Sequence, residues 1–298
     1  KEGRETMIDD RKTSRRVFNV FNYLFLGVIM VITLYPLYYQ FIVSISNGLD
    51  VMRGEVTFLP QNITLDTYRQ FLKGDLFMYM KNSVFYTVLG TFINLVMSSL
   101  CAYPLTRKQF SGRKFFTFMV TFTMFFSGGM VPLYLVVKEL ELLDTVWALV
   151  LPVAISTYNM IIIRPSFQAI PESLIESAQL DGANDVVILC RIVLPLSKAV
   201  LATMLLYYAV SHWNDYFNAM LYINSKELYP LQIMLRNMLI AGLFSEEAGV
   251  AGGSTTFSVT DATLRAAAII VTTLPILVVY PFVQRYFVKG VMIGSVKG

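Results

Sequence analysis

Long apolar segments separated by shorter polar ones dominate the chain. Six of them, each about 18–29 residues long, come near or exceed the roughly 20 residues that a helix needs to cross a bilayer. Ser127-Gly128-Gly129 and Pro132 can break the third segment, and Pro275 and Pro281 can kink the sixth. The pattern predicts an all-α integral membrane protein with six transmembrane helices, spanning about residues 18–46, 83–105, 115–137, 146–163, 196–223 and 261–286.

Composition supports a membrane protein and excludes several other classes. The 298 residues are 55% hydrophobic and 15% charged, whereas a soluble domain carries about 25% charged residues. Two cysteines, Cys101 and Cys190, exclude a disulfide framework and a Cys-rich metal site, and a single histidine, His212, excludes a His cluster. The sequence has no G-x-x-x-x-G-K-[ST] phosphate-binding loop, so any ATP hydrolysis would need another chain.

The distribution of Lys and Arg predicts the orientation in the membrane. The apolar run from Phe18 is too long for the core of a signal peptide and has no small-x-small cleavage site at its end, so we expect a retained helix. With the N-terminus inside, the inside segments hold sixteen of the 24 basic residues, four of them in the short 106–114 loop. We therefore predict an N-in/C-in topology with a cytoplasmic tail at 1–17, a membrane domain at 18–288 and a cytoplasmic tail at 289–298.

Residues 171–195 form a polar, helix-forming segment between the fourth and fifth apolar runs, on the predicted cytoplasmic side. Acidic residues suit the start of a helix, glycine suits a left-handed stop, and a short polar side chain caps a second helix. The segment therefore predicts a helix–turn–helix that fits a groove on another protein, with these signals at Pro171, Glu172, Glu176, Gly182, Asn184 or Asp185, and Leu194-Pro195.

The same segment resembles a family signature. Importer permeases of the ATP-binding-cassette (ABC) class carry Glu-Ala-Ala, then Gly four residues later, then Ile-x-Leu-Pro ten residues after that Gly. Here the residues are Glu176-Ser177-Ala178, Gly182 and Ile192-Val193-Leu194-Pro195, with Ser177 as the one departure. Four further stretches resemble the carbohydrate-uptake branch of this family, in particular its maltose-type second subunit and its complex-oligosaccharide group. They are Ser127–Tyr134, Trp147–Pro152, Trp213–Tyr216 and Gln284–Gly298.

This resemblance implies a function and a set of partners. The chain would be a permease subunit, not an enzyme, that imports a carbohydrate of the oligosaccharide class, acidic ones included, by alternating access in the bacterial plasma (inner) membrane. It would pair with a second homologous permease, two copies of an ATPase that bind ATP and Mg, an extracytoplasmic sugar-binding protein and membrane lipid. It would hold no cofactor, metal or nucleic acid itself.

Coupling to the ATPase would use Glu172, Glu176, Ser177, Ala178, Asp181, Gly182, Ile192, Leu194 and Pro195. The 294–298 tail either contacts the ATPase or is a frayed terminus.

Polar and aromatic side chains at bilayer depth are candidates for a sugar path. At 1.5 Å per residue, several of them fall near mid-membrane, where transporter sites tend to lie. The path candidates are Asn94, Tyr158, Asn159, Tyr207, Tyr208, Trp213 and Asn214. For each, helix packing or an interhelical hydrogen bond is the alternative role. Asp215 falls near the outer interface as a solvated or gate-forming carboxylate, and the sequence indicates no partners for His212.

Two rival functions remain to be weighed. A membrane-embedded enzyme would need clustered catalytic groups at membrane depth, and one histidine without clustered carboxylates argues against it. An ion-coupled secondary transporter is the alternative function. It would require ion-coupling acids within the spans, and it would leave the 171–195 segment without a role.

Overall fold

In the computed structural model, every regular element that the structure describes is helical. The backbone is described for residues 2–247 and 258–295, and side chains for residues 15–240 and 258–281. The 251–256 connection and residues 296–298 of the predicted C-terminal tail lie outside the described residues. The helices are α1 (Glu2–Ser44), α2 (Gly48–Met52), α3 (Asp66–Lys73), α4 (Leu76–Ala102), α5 (Arg113–Phe125), α6 (Met130–Glu139), α7 (Val146–Val150), α8 (Thr157–Gln168), α9 (Glu172–Leu180), α10 (Asp185–Ile188), α11 (Leu194–Leu196), α12 (Lys198–Trp213), α13 (Phe217–Tyr222), α14 (Leu231–Glu247) and α15 (Asp261–Ser295).

Length and hydropathy identify the candidate membrane spans among the described helices. Three are long and apolar enough to cross a membrane alone, at Arg15–Ser44, Leu76–Thr106 and Asp261–Pro281. Two bent pairs raise the number to five if each pair is one span: α5 with α6, bent by 113°, and Asp185–Leu196 with α12, bent by 87°. The chain is therefore an all-helical membrane protein with three to five candidate spans in its described part.

The third and fourth apolar runs are each divided by a break with a local cause. Between α5 and α6, Gly129 takes a φ of +84°, and its N–H donates to Ser127 Oγ at 3.2 Å. Between α7 and α8, Ser156 caps the new helix by accepting from the Asn159 N–H at 3.4 Å. Continuous apolar sequence therefore does not produce one continuous helix in either run.

The fifth apolar run continues to residue 223, but α12 ends at Trp213. The side chain of Asn214 turns back and donates to the Val210 carbonyl at 2.9 Å. Asp215 accepts from the Asn218 N–H at 3.1 Å at the start of α13. Short polar side chains that bond to nearby backbone groups compete with helix continuation, so the helix stops at this point.

The described residues fall into two compact units. The first comprises the described residues of Lys1–Phe71 and Ala241–Val271. Its core contains Ile42, Val43, Val56 and Ala266. Large apolar side chains of α1 from Val17 to Phe41 are mostly exposed, as expected of a helix that faces lipid.

The second unit comprises the described residues of Leu72–Ile240 and Thr272–Gly298, and α4 and α12 pack along one another within it. One face of α4 buries small or short polar residues, namely Ser83, Gly90, Asn94 and Ser98. Small residues at a helix interface let two membrane helices approach closely. This close approach brings together the side chains of the polar cavity described below.

Asp144 joins two connections of the second unit. Its carboxylate accepts from the backbone N–H groups of Asn224 (2.9 Å) and Ser225 (2.8 Å), and from the Ser225 hydroxyl. The Ser225 hydrogen bonds lower the pKa of Asp144 below its ordinary value. The connection before α7 is thereby tied to the connection after α13.

We expect Asp144→Asn to lower the melting temperature of the purified protein at pH 7, because the amide is a weaker acceptor than the carboxylate. A lowered pKa in the folded state means stability that is present above the unfolded pKa and is lost as pH falls through the folded pKa. The difference between wild type and variant should therefore shrink as the pH is lowered through the acid range in a thermal unfolding series. A difference independent of pH would contradict this assignment.

Candidate functional sites

The first candidate site is the segment 171–195, in which the structure places α9 and α10 on either side of a turn, as the sequence predicts. Pro171 precedes α9 at its N-cap position, and Gly182 makes the turn with a φ of +83°. Asn184 caps α10 by accepting from the Val187 N–H at 2.9 Å. A π-helical turn at Leu189–Val193 then leads into α11.

Apolar side chains anchor this segment, named here the coupling loop, to the second unit. Ile175, Ile188 and Leu189 are buried in a cluster with residues of α4 and α8, including Ala102 and Ile163. Three predicted coupling residues, Ala178, Ile192 and Leu194, pack partly buried against the same cluster. These three therefore hold the loop in place from its inner side.

Charged and polar contacts clamp the loop to the end of α4. Lys108 Nζ lies 2.6 Å from Glu172 Oε2, and this contact lowers the pKa of Glu172 below its ordinary value. Arg107 donates to the Tyr103 hydroxyl at 2.6 Å, and that hydroxyl donates to Asp185 at 3.2 Å. Arg107 and Lys108, which the sequence indicated only as markers of orientation, therefore also position the loop.

The opposite side of the coupling loop is exposed. Leu180, at the end of α9, is 90% exposed, and Val186 on α10 is 64% exposed. Neither residue is among the predicted coupling residues, although two large apolar side chains exposed on one polar loop are a signal for a docking surface. The remaining predicted coupling residues on this side are exposed: Glu176, Ser177, Asp181, Gly182 and Pro195, as is Glu172 in its clamp.

The second candidate site is a polar cavity of about 500 Å³ in the second unit. It lies among α4, the break between α7 and α8, and the end of α12. Its lining residues are Asn94, Pro152, Val153, Ile155, Ser156, Asn159, Tyr208, Ser211, His212, Asn214, Asp215 and Asn218. Its volume and its mixture of hydroxyl, amide and carboxylate groups suit a small polar ligand.

A chain of hydrogen bonds forms the deep part of the cavity. Asn94, 1% exposed, donates from Nδ2 to the Val153 carbonyl, so its Oδ1 faces His212 Nε2 at 2.6 Å. Because Asn94 Oδ1 can only accept, His212 Nε2 carries the proton in this bond. The Tyr208 hydroxyl pairs with Ser98 Oγ at 2.6 Å. The deep polar groups therefore bond mainly to one another.

Four of the seven predicted path residues line the cavity: Asn94, Asn159, Tyr208 and Asn214. Tyr158 and Tyr207 are about half exposed and lie outside its lining. Trp213 is buried beside a separate apolar cavity of about 330 Å³, and its Nε1 donates to the Thr272 carbonyl at 3.1 Å.

The sequence did not predict that Ser211, His212, Asp215 and Asn218 line the cavity with Tyr208. The helical spacing of Tyr208, Ser211, His212 and Asp215, at i, i+3, i+4 and i+7, was an available signal.

A helical membrane protein with a polar cavity among its packed helices and an exposed helical loop beside a basic segment has the features of a transport component. The comparisons identify the kind of transport component. Residues 76–293 match the family described as binding-protein-dependent transport system inner membrane component. The chain belongs to this family, which confirms the resemblance to ABC importer permeases. It is a multi-pass inner-membrane component and is not itself catalytic. The family implies an ATPase, a paired permease and a binding protein.

Two curated relatives and one solved structure are similar over nearly the whole chain. "Protein LplC" of Bacillus subtilis is 44% identical over 95% of this chain and 96% of its own length. The polygalacturonan/rhamnogalacturonan transport system permease protein YtcP of the same organism is 42% identical, covering 95% of this chain and 99% of its own. A chain from the crystal structure of a bacterial ABC transporter involved in the import of the acidic polysaccharide alginate is 36% identical, with a TM-score of 0.84, covering 92% and 98% of the two chains.

We expect Gly90→Ala to disrupt the deep part of the cavity. A Cβ at this position would clash with the His212 ring, so the ring must move. Overpacking of this kind costs about 1–3 kcal/mol, and thermal unfolding of the purified protein measures it. Gly27→Ala is the matched control, because nothing lies within 4 Å of that added Cβ. Equal effects of the two substitutions would contradict the close packing of His212 on Gly90.

Proposed function

We propose that this chain is one of the two permease subunits of an ABC importer that carries an oligosaccharide or polysaccharide fragment into the cell. Two copies of an ATPase that bind ATP and Mg would dock on the coupling loop, and an extracytoplasmic binding protein would deliver the sugar. The cavity would form part of the translocation path. Family membership supports the architecture, and the exposed side of the coupling loop is the observation that carries the coupling role.

The proposal includes six spans with both termini in the cytoplasm. Five spans come from the three long helices, the bent pair α5 with α6, and α12, whose bent partner Asp185–Leu196 lies in the coupling loop. The sixth would be α7 with α8, interrupted at residues 151–156. Non-helical backbone at membrane depth is tolerated where it lines a cavity, and Val153 and Ser156 do line the polar cavity. The basic residues of the coupling-loop clamp, Arg107 and Lys108, support placing this end inside.

The arrangement of the coupling loop supports transmission of movement to the spans. One side is anchored by Ile175, Ile188 and Leu189, and the other presents Leu180 and the turn at Gly182. No atom of the described residues, outside the turn itself, lies within 4 Å of a Cβ built on Gly182, so a partner can approach this turn closely. A rigid-body movement of the docked ATPase would then move α12 through the loop and change access to the cavity.

The substrate class rests on the relatives and on the cavity. YtcP is named for polygalacturonan and rhamnogalacturonan, two relatives named AraQ for arabinooligosaccharides, and the solved transporter for alginate. Hydroxyl, amide and carboxylate groups along the cavity, such as Ser211, Asn214 and Asp215, match the hydroxyl groups of a sugar. We therefore propose a carbohydrate substrate, with acidic sugars included.

We expect Leu180→Asp to weaken binding of the ATPase by tenfold or more, which corresponds to about 1.4 kcal/mol or more. An aspartate at the end of α9 would place an unpaired carboxylate in the groove of the ATPase that is proposed to receive the coupling loop. Co-purification of the ATPase and ATP-dependent uptake measure the effect. The permease itself should lose no more than about 0.5 kcal/mol of stability, because the side chain is 90% exposed.

Leu72→Asp is the matched control for this substitution, since Leu72 is 70% exposed and lies outside the coupling loop. It should leave ATPase binding unchanged. Normal ATPase binding and uptake in Leu180→Asp would remove the coupling role of this surface.

The energy source distinguishes the proposed importer from an ion-coupled secondary transporter. In proteoliposomes that contain the complete complex and the binding protein, we expect uptake to require ATP on the ATPase side. Collapse of the proton and sodium gradients with ionophores should leave the uptake rate unchanged. Uptake that continues without ATP and stops with the ionophores would establish the secondary transporter instead.

A further inference from the structure

The polar cavity has a deep part whose groups are engaged and a rim whose groups are accessible. Asn94 and Tyr208 are 1% and 3% exposed and bond to protein partners. Ser211 and Asn214 are exposed, and Asp215 and Asn218 are partly exposed. We name Ser211, Asn214, Asp215 and Asn218 the polar rim. A ligand in the cavity would meet the rim before it met the deep groups.

The rim is organised around the Asp215 carboxylate. Asn218 donates twice to it, from its backbone N–H to Oδ1 at 3.1 Å and from Nδ2 to Oδ2 at 2.9 Å. Each carboxylate oxygen keeps acceptor capacity for another donor. Ser211 and Asn214 line the cavity together with Asp215. The rim therefore presents fixed acceptors together with a hydroxyl and an amide.

The charges around the rim are unequal. Among the cavity-lining residues that the structure describes, none is Lys or Arg, and Asp215 is the one carboxylate. His212 directs its Nε2 proton to Asn94, and the Tyr208 hydroxyl shares a hydrogen bond with Ser98 Oγ. A ligand hydroxyl would find acceptors here, whereas a ligand carboxylate would meet a like charge without a cation to offset it.

We infer that the polar rim binds the hydroxyl groups of an uncharged sugar face and that Asp215 excludes a sugar carboxylate from this position. This inference rests on the proposed carbohydrate function and adds the sugar chemistry that faces this subunit. Some relatives are named for acidic polysaccharides. The acidic groups of such a substrate would have to face away from this rim, so the difference between neutral and acidic sugar faces can be tested here. Asp215 is thereby a specificity-determining residue.

The test compares two probes of equal length and linkage in the complete transporter with its binding protein. One probe is a radiolabelled oligogalacturonide, and the other is the same oligomer after chemical reduction of its carboxyl groups to alcohols. Asp215→Asn removes the charge and keeps the shape, and it should raise the ratio of acidic to neutral uptake by about tenfold or more. Glu227→Gln, an exposed carboxylate outside the cavity, should leave the ratio unchanged.

The outcomes separate the two levels of the proposal. Uptake of either probe with an unchanged ratio in Asp215→Asn would overturn the role of Asp215 and leave the carbohydrate function standing. A fall in acidic uptake would show that the carboxylate assists acidic sugars, which also overturns the inference. Failure of the wild-type complex to import either probe, while it remains active as an ATPase, would contradict transport of this kind of oligosaccharide and, with it, the inference about the rim. A raised ratio that appears equally in Glu227→Gln would assign the effect to surface charge and overturn the role of the rim.

Discussion

Backbone hydrogen bonding in hydrocarbon is the constraint on which this structure depends. A chain that crosses a bilayer must satisfy its own N–H and C=O groups, which is why the described elements are helices. The interruption at residues 151–156 frees backbone groups, and the Asn94 amide satisfies one of them by donating to the Val153 carbonyl. That bond in turn orients Asn94 toward His212. A broken helix is thus stabilised by the polar groups that make the cavity.

The two candidate sites are joined by the same pair of helices. At one end of α4, Tyr103 takes part in the clamp on the coupling loop, and further along the helix Asn94 lies in the deep part of the cavity. Likewise, α12 begins just after the coupling loop at an 87° bend and ends among the residues of the rim. Because α4 and α12 pack against one another through small side chains, the loop and the cavity belong to one packed body.

The distribution of charge also divides the second unit by task. Lys108 pairs with Glu172, and Arg107 donates to the Tyr103 hydroxyl, so both basic residues lie at the coupling loop. A partner protein is proposed to bind this loop. The cavity carries amides, hydroxyls and the Asp215 carboxylate. The Lys108–Glu172 pair at the loop costs little because both side chains are exposed to water.

The sequence alone predicted a helical membrane protein, the turn at Gly182 and the cap at Asn184, because apolar run length, glycine and capping residues act locally. It also indicated Asn94, Asn159, Tyr208 and Asn214 as residues of one path. Only the tertiary structure shows that the polar atoms of Asn94 bond to protein partners, whereas Asn214 lies at the rim. It also places Trp213 beside an apolar cavity. Tertiary packing also brought His212 onto Gly90. Such roles depend on which helices meet and on side-chain direction, and those follow from packing between segments more than a hundred residues apart in the chain.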